Sequence, residues 1–240
     1  MKRAKKLCAM LGGAGWLLLA AAGCVGPDAR MPADKAFALS ASALSGTDSY
    51  GFAGELALYN PKGRMETKAA FEGEVNRHGS MKLNWTTSDK PEGEAEGTEG
   101  SAPSYRPLSL LKALGSRSAA IEYADPPSPG VPVRIRIRLD EETAKRRIAD
   151  ALREEMDEVR ADRTLYGTDP ERARRKLEEA NRKLEAALAT LKVDTVVLWT
   201  ANSKSWFPIR MEEETELSYA WEGKAYSEKR MSETNFLVKA

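Results

Sequence analysis

From residue 131 to 139 the chain reads Val-Pro-Val-Arg-Ile-Arg-Ile-Arg-Leu, and an alternation this strict leaves one local structure open to it. Successive side chains of an extended strand point to opposite faces. Val131, Val133, Ile135, Ile137 and Leu139 therefore share one face, and Arg134, Arg136 and Arg138 the other. A helix would scatter the same residues around its circumference. A strand with one apolar and one charged face belongs to an antiparallel sheet that is covered on one side only.

The same period recurs upstream. Phe52, Leu56 and Leu58 share a parity, as do Met65, Thr67, Ala69, Phe71 and Val75, and then Met81, Leu83 and Trp85. Glu66, Lys68, Glu72, Glu74, Lys82 and Asn84 fill the opposite positions. Asn60-Pro61-Lys62-Gly63 and Asn76-Arg77-His78-Gly79 supply turn residues between the runs, so the stretch predicts a three-stranded antiparallel meander. Phe71, Met81, Leu83 and Trp85 form a candidate face for an apolar ligand, since Met and Trp suit adaptable apolar surfaces, although such a stripe is usually closed core. Further strands are expected in "SAAIEYAD" and in a second meander of "VDTVVLWTA", "WFPIRMEEETELSYAW" and "KAYSEKRMSETNFLV", the last two joined through Glu222-Gly223-Lys224.

Helical spacing appears in three places. "ADKAFALSASALS" sets Phe37, Ala41 and Leu44 on one side, and "PLSLLKALG" runs from Pro107 to a terminating Gly115. The third is a helical hairpin over 140–191. Asp140 caps its first helix, with Glu141 and Glu142 favourably placed at the positive end. Its apolar stripe is Ala144, Ile148, Leu152, Met156 and Val159. Asp169 caps the second helix, Pro170 takes its first position, and Leu177, Ala180, Leu184, Leu188 and Leu191 form the stripe. Glu171 with Arg175, Glu178 with Arg182 and Glu179 with Lys183 lie four apart on the wet side. The combined stripe is wide enough for the helices to bury against each other or against the sheet, hardly for both, and the sheet is the expected partner. Residues 88–106, rich in Gly, Glu, Ser and Pro, predict a mobile loop. Strands, then helices among strands, then strands describe an α+β fold, with helices on one face of an antiparallel sheet.

The N-terminus answers a different question. Lys2, Arg3, Lys5 and Lys6 precede an apolar run from Leu7 to Ala22, which is the layout of a secretory signal and falls short of the roughly 20 residues a spanning helix needs. Ala21-Ala22-Gly23-Cys24 is similar to the bacterial lipobox. That likeness implies cleavage between Gly23 and Cys24 and a diacylglyceryl group on the Cys24 thiol, whose two chains are enough for stable attachment. The expected organisation is a signal peptide at 1–23, a lipidated Cys24 with a tether to residue 32, and a single domain over 33–240.

Several classes of function are disfavoured by what remains. The chain has 37 basic and 36 acidic residues, and four of the cations fall in the signal, so 33 face 36 in the mature chain for a net charge of −3. Bulk attraction to nucleic acid is not indicated. Cys8 leaves with the signal and lipid consumes Cys24, so cysteine supplies neither a disulfide nor a metal cluster. His78 is the sole histidine and sits in a turn, without the partners a metal centre or a Ser-His-Asp arrangement requires. Glu212, Glu213, Glu214 and Glu216 read as a solvated acidic strand face, lacking the Gly and Asp spacing of a calcium loop. Arg134, Arg136 and Arg138 read as exposed sheet surface, with an anionic headgroup as the alternative occupant. No phosphate loop, nucleophile elbow or zinc-protease motif is present, so no catalytic residue and no cofactor are expected.

The order of an N-terminal helix, "SYGFAGELAL", a long meander and a late "WFPIRMEEETELSYAWEGK" resembles the LolA/LppX-like lipoprotein superfamily over most of residues 33–238. The resemblance implies a strongly curved antiparallel sheet forming an open half-barrel, with helices against its hollow enclosing an apolar cavity. The charged hairpin departs from the compact family pattern. The resulting expectation is an exported, non-enzymatic protein, lipid-anchored at the outer surface of a bacterial membrane, that holds a lipid, lipoprotein or similar apolar ligand. The alternative is an envelope interaction or sensor module that uses the same scaffold to bind a protein.

Overall fold

A computed structural model describes residues 31–76, 81–87, 105, 108–113, 119–167 and 169–238. The signal, Cys24, most of the tether, the turn carrying His78, and the loop over 88–104 lie outside the described residues, as do Pro107 and Gly115.

The expected strands and helices form in the expected order. Strands β1 (Tyr50–Tyr59), β2 (Met65–Val75) and β3 (Met81–Thr87) make the first meander, β4 (Ala119–Tyr123) and β5 (Val133–Leu139) follow, and β6 (Lys192–Ala201), β7 (Pro208–Trp221) and β8 (Lys224–Val238) complete the set. All pair antiparallel in one sheet of order β3-β2-β1-β8-β7-β6-β5-β4. The first and last strands lie side by side over ten register pairs, from Tyr50 opposite Val238 to Tyr59 opposite Lys229, and this joins the two meanders. Among the described residues β3 and β4 are the edge strands and do not pair with each other, so the sheet is open.

Turn chemistry matches the sequence at two places. Asn60 Oδ1 accepts from the backbone N–H groups of Lys62 and Arg64, and Gly63 takes the left-handed φ of +73° that closes the β1–β2 hairpin. Trp221 pairs with Lys224, leaving Glu222 and Gly223 as a two-residue loop with φ of +50° and +79°, the combination whose twist suits a hairpin.

Helix α1 (Ala33–Ser45) buries Ala36, Phe37, Ser40 and Leu44 against the sheet. α2 (Ser109–Ala113) is short. α3 (Glu141–Ala161) starts where Asp140 accepts from the Thr143 N–H at 2.9 Å, and α4 (Pro170–Thr190) where Asp169 accepts from the Arg172 N–H at 3.0 Å. α3 lies over β6 and α4 over β7, so the stripes face the sheet as expected. Burial is confined to the ends nearest the sheet: Thr143, Ala144, Ala149, Ala187 and Leu188 are enclosed, whereas Val159 and Leu165 are exposed. Glu179 pairs with Lys183 at 3.1 Å, but Glu171 takes Arg174, one turn position nearer than Arg175, at 2.8 Å. Both spacings bring side chains together on a helix.

Three expectations need correcting. Val131 stands outside β5 and is exposed, because Gly130 turns the chain there with φ +79° and Pro132 has no N–H to give a ladder. Met65 shares the apolar parity of β2 yet is exposed at the strand's first position, where no described helix packs on β2. Tyr105, near the end of the stretch expected to be a mobile loop, packs on Phe71 with ring centroids 6.0 Å apart. An aromatic ring gains too much from burial to stay in water when a partner is in reach.

Candidate functional site

The inner face of the sheet is zoned. At one end Trp199 meets Phe37 edge-on at 5.4 Å and Phe236 at 5.6 Å, and its indole N–H donates to Ser40 Oγ at 2.8 Å. A second aromatic group joins Phe52 to Phe71 at 6.3 Å and Phe71 to Trp85 at 5.2 Å. Phe52 stands opposite Phe236 in the register of β1 and β8, so the two groups adjoin, and a polar belt runs beside them. Thr195 and Thr215 share a hydrogen bond of 3.0 Å, Thr215 donates to Glu213 at 3.0 Å, and the Tyr105 hydroxyl lies 2.6 Å from Ser232 Oγ.

Arg147 of α3 and Glu213 of β7 form the centre of the belt. The guanidinium donates through both terminal nitrogens to the two carboxylate oxygens, and the side chains are only 8% and 4% exposed. Burial opposes the charged form of each. Their mutual attraction outweighs it, holding Glu213 below the ordinary carboxylate range and Arg147 above its own ordinary value. Burial also pushes the Tyr105 hydroxyl up, with the Glu213 charge adding to the effect, so this phenol keeps its proton. Arg147 Nε and Thr234 Oγ1 are buried with no hydrogen-bond partner among the described residues.

Above this floor is a cavity of about 370 Å³ between α2, α3 and the sheet, lined by Leu56, Tyr105, Thr143, Arg147, Leu152 and Glu213 among others. A smaller apolar crevice of about 190 Å³ separates α3 from α4 over β7. Ile148, Leu152 and Arg230 line both.

The candidate ligand face predicted from sequence lies apart from both of these cavities. Phe71 is buried among Phe52, Trp85 and Tyr105, Leu83 and Trp85 are half-buried against that group, and Met81 is 39% exposed. None of the four lines either cavity, because the rings on that side fill the available space with one another. Arg134, Arg136 and Arg138 are exposed and paired with Asp125 at 2.6 Å, Glu122 at 3.4 Å and Asp194 at 3.5 Å. The acidic run divides: Glu212, Glu214 and Glu216 point outward, where Arg210 and Lys229 meet them, but Glu213 points in. Parity was the available signal. Glu213 alternates with the other acids and falls in step with Met211, Thr215 and Leu217, all buried. Arg147 gives the matching sign, three residues after Ala144 on the inward stripe of α3.

No protein-family model and no curated protein sequence matches the chain. A LolA superfamily protein from Nitrosomonas europaea is similar in structure over 88% of this chain and 94% of that one, at 7% sequence identity and a TM-score of 0.25.

Proposed function

We propose that the protein is an exported, lipid-anchored, non-enzymatic binder of an apolar or partly apolar small molecule, held between its helices and its sheet. The observation that carries this reading is the adjoining pair of cavities beneath α3, one floored by the Arg147–Glu213 pair and its polar neighbours and the other by leucines. Concave, mostly apolar space with a few placed polar groups is the usual form of a ligand site. The sequence resemblance to the LolA/LppX-like superfamily points the same way, and the lipobox ending in Cys24 supports the anchor. The Tyr123 hydroxyl donates to the Met31 carbonyl at 2.8 Å, so the end of the tether is held at the β4 edge and the domain would hang from that side.

The test is native mass spectrometry of the full chain carrying Cys24→Ser. With no thioether lipid, any lipid-sized adduct that is released on denaturation is ligand. An adduct-free spectrum from protein purified without detergent exchange, together with failure to take up an apolar dye, would sink the carrier reading. The exposed Val159 and Leu165 at the far end of the hairpin favour a second reading, a protein-contacting sensor arm. Capture of an envelope protein, lost in a Val159→Glu, Leu165→Glu double variant, would support it.

A further inference from the structure

We infer that the end of the sheet crossed by α1 is a membrane-contacting face, seated on the same bilayer that holds the anchor. This depends on the proposed lipid at Cys24 and adds how the domain sits above it. Three observations lead there.

The first is where the exposed apolar side chains gather. Met81 opens β3 opposite Val75, Val75 pairs with Tyr50, and Tyr50 with Val238, so Met81, Leu237 and Val238 share one end of the sheet. Val131 and Ile209 stand at the same end, beside the pairs of Val133 with Ala201 and of Ala201 with Pro208. Leu39 joins them from α1, which starts where Tyr123 holds Met31, passes Trp199 with Phe37 and Ser40, and leads into Tyr50. These six, between 38% and 64% exposed, are most of the eleven large apolar side chains exposed among the described residues. Scattered singly such residues need no explanation, but gathered at one end they mark a contact surface.

The second is missing charge. From Ala36 to Ser45 α1 has no charged residue, and its side away from the sheet is an open groove of Met31, Lys35, Ala38, Leu39 and Ser42. A helix that faces water normally turns charged residues outward, as α3 and α4 do along their length. The β4–β5 loop is likewise uncharged from Pro126 to Val131. A weakly polar, uncharged side fits the boundary between headgroups and acyl chains.

The third is reach. Met31 follows Cys24 by seven residues, which span roughly 25 Å at most when fully extended. The 15 residues of β8, at about 3.4 Å each, put the Glu222–Gly223 loop at the other end roughly 50 Å from Val238. A tether that short, fixed beside Tyr123, presents the α1 end to the bilayer first.

The experiment uses the protein purified from membranes with its lipid and reconstituted into vesicles of phosphatidylethanolamine and phosphatidylglycerol. With the signal removed and Cys24 blocked by lipid, an introduced cysteine is the sole thiol, so Leu39→Cys, Val131→Cys and Leu237→Cys each take one fluorophore. Tyr226→Cys, exposed at the other end of the sheet, is the reference. Nitroxide carried on lipid acyl chains should quench the three labels roughly threefold or more above the reference, since only an inserted face comes within reach of it. Equal quenching at all four positions, or none at 39, 131 and 237 in protein that floats with the vesicles, would overturn the face and leave the anchor intact. Failure to float and to incorporate fatty acid would overturn the anchor and the face with it. Disulfide-linked dimers through position 39 without quenching would give the surface to a second copy and overturn the bilayer as its occupant. Leu39→Glu with Val131→Glu should bring quenching at 237 down to the reference with circular dichroism unchanged. Undiminished quenching there would overturn these side chains as the contact.

Discussion

Arg147 and Glu213, 66 residues apart in the chain, form a two-bond ion pair that fastens helix α3 to strand β7 beneath the larger cavity. Removing one partner strands the other charge away from water, which typically costs about 3–5 kcal/mol, whereas replacing both by apolar groups of similar volume is often neutral or better. Glu213→Gln should therefore lower stability by about 3–5 kcal/mol, and Arg147→Met with Glu213→Leu should recover most of it. Urea unfolding of the two singles and the double checks this as a double-mutant cycle. Additive losses would mean the pair contributes nothing as a pair.

Acid should weaken the same contact. Glu213 lies below its ordinary value of 4.5 in the fold, so the unfolded chain binds the proton more readily. The contribution of Glu213 to stability is complete above that ordinary value and is lost as pH falls through the lower, folded one. Stability measured from neutral into acid should fall less steeply in Glu213→Gln than in the parent. Asp140, Asp162 and Glu185, also held below their ordinary values, remain in both proteins and set the residual slope.

Ser40→Ala removes the acceptor of the Trp199 indole N–H, with both residues fully enclosed. A buried donor left unpaired costs about 1–3 kcal/mol, so the melting temperature should drop although a smaller residue has been introduced. An unchanged melting temperature would show that the N–H finds another acceptor.

Close approach of backbones fixes one glycine. A Cβ on Gly54 would stand 1.9 Å from the Glu233 carbonyl oxygen and 2.7 Å from Phe71 Cζ. Since a main-chain atom cannot swing aside, Gly54→Ala should cost more than the about 1–3 kcal/mol usual for overpacking. Gly51→Ala, whose nearest neighbour would be 3.6 Å away, should be close to neutral. Thermal melts of the two variants settle the contrast.

Cys24→Ser should release the protein from the membrane, because a serine hydroxyl cannot form the thioether that carries the lipid. Labelling with a radioactive fatty acid reads this directly. Equal incorporation into variant and parent would remove the anchored reading and the localisation that depends on it.

Much of the architecture was legible before any coordinates. Alternation in 133–139 marks β5, whose inward residues are those the period selects, and Asp140 and Asp169 cap the helices they precede. These signals are local: a two-residue period, a side chain two or three positions from the N–H it accepts from, a glycine at positive φ. Each is settled within a few residues, so sequence by itself determined the elements, their order and the sidedness of the first meander and of β5.

Tertiary structure decided which apolar surface is filled and which is left open. Phe71, Leu83 and Trp85 share one apolar parity in the sequence, and in the fold Phe52 of the neighbouring strand and Tyr105 from beyond the meander pack against that zone. The space remains instead where two helices of modest apolar width cross the sheet, at Leu152, Leu184 and Leu217. The buried charge pair likewise depends on a helix and a strand meeting at one point. Alternation shows that Glu213 faces inward, but only the packing of α3 across β7 supplies the Arg147 that makes such burial tolerable.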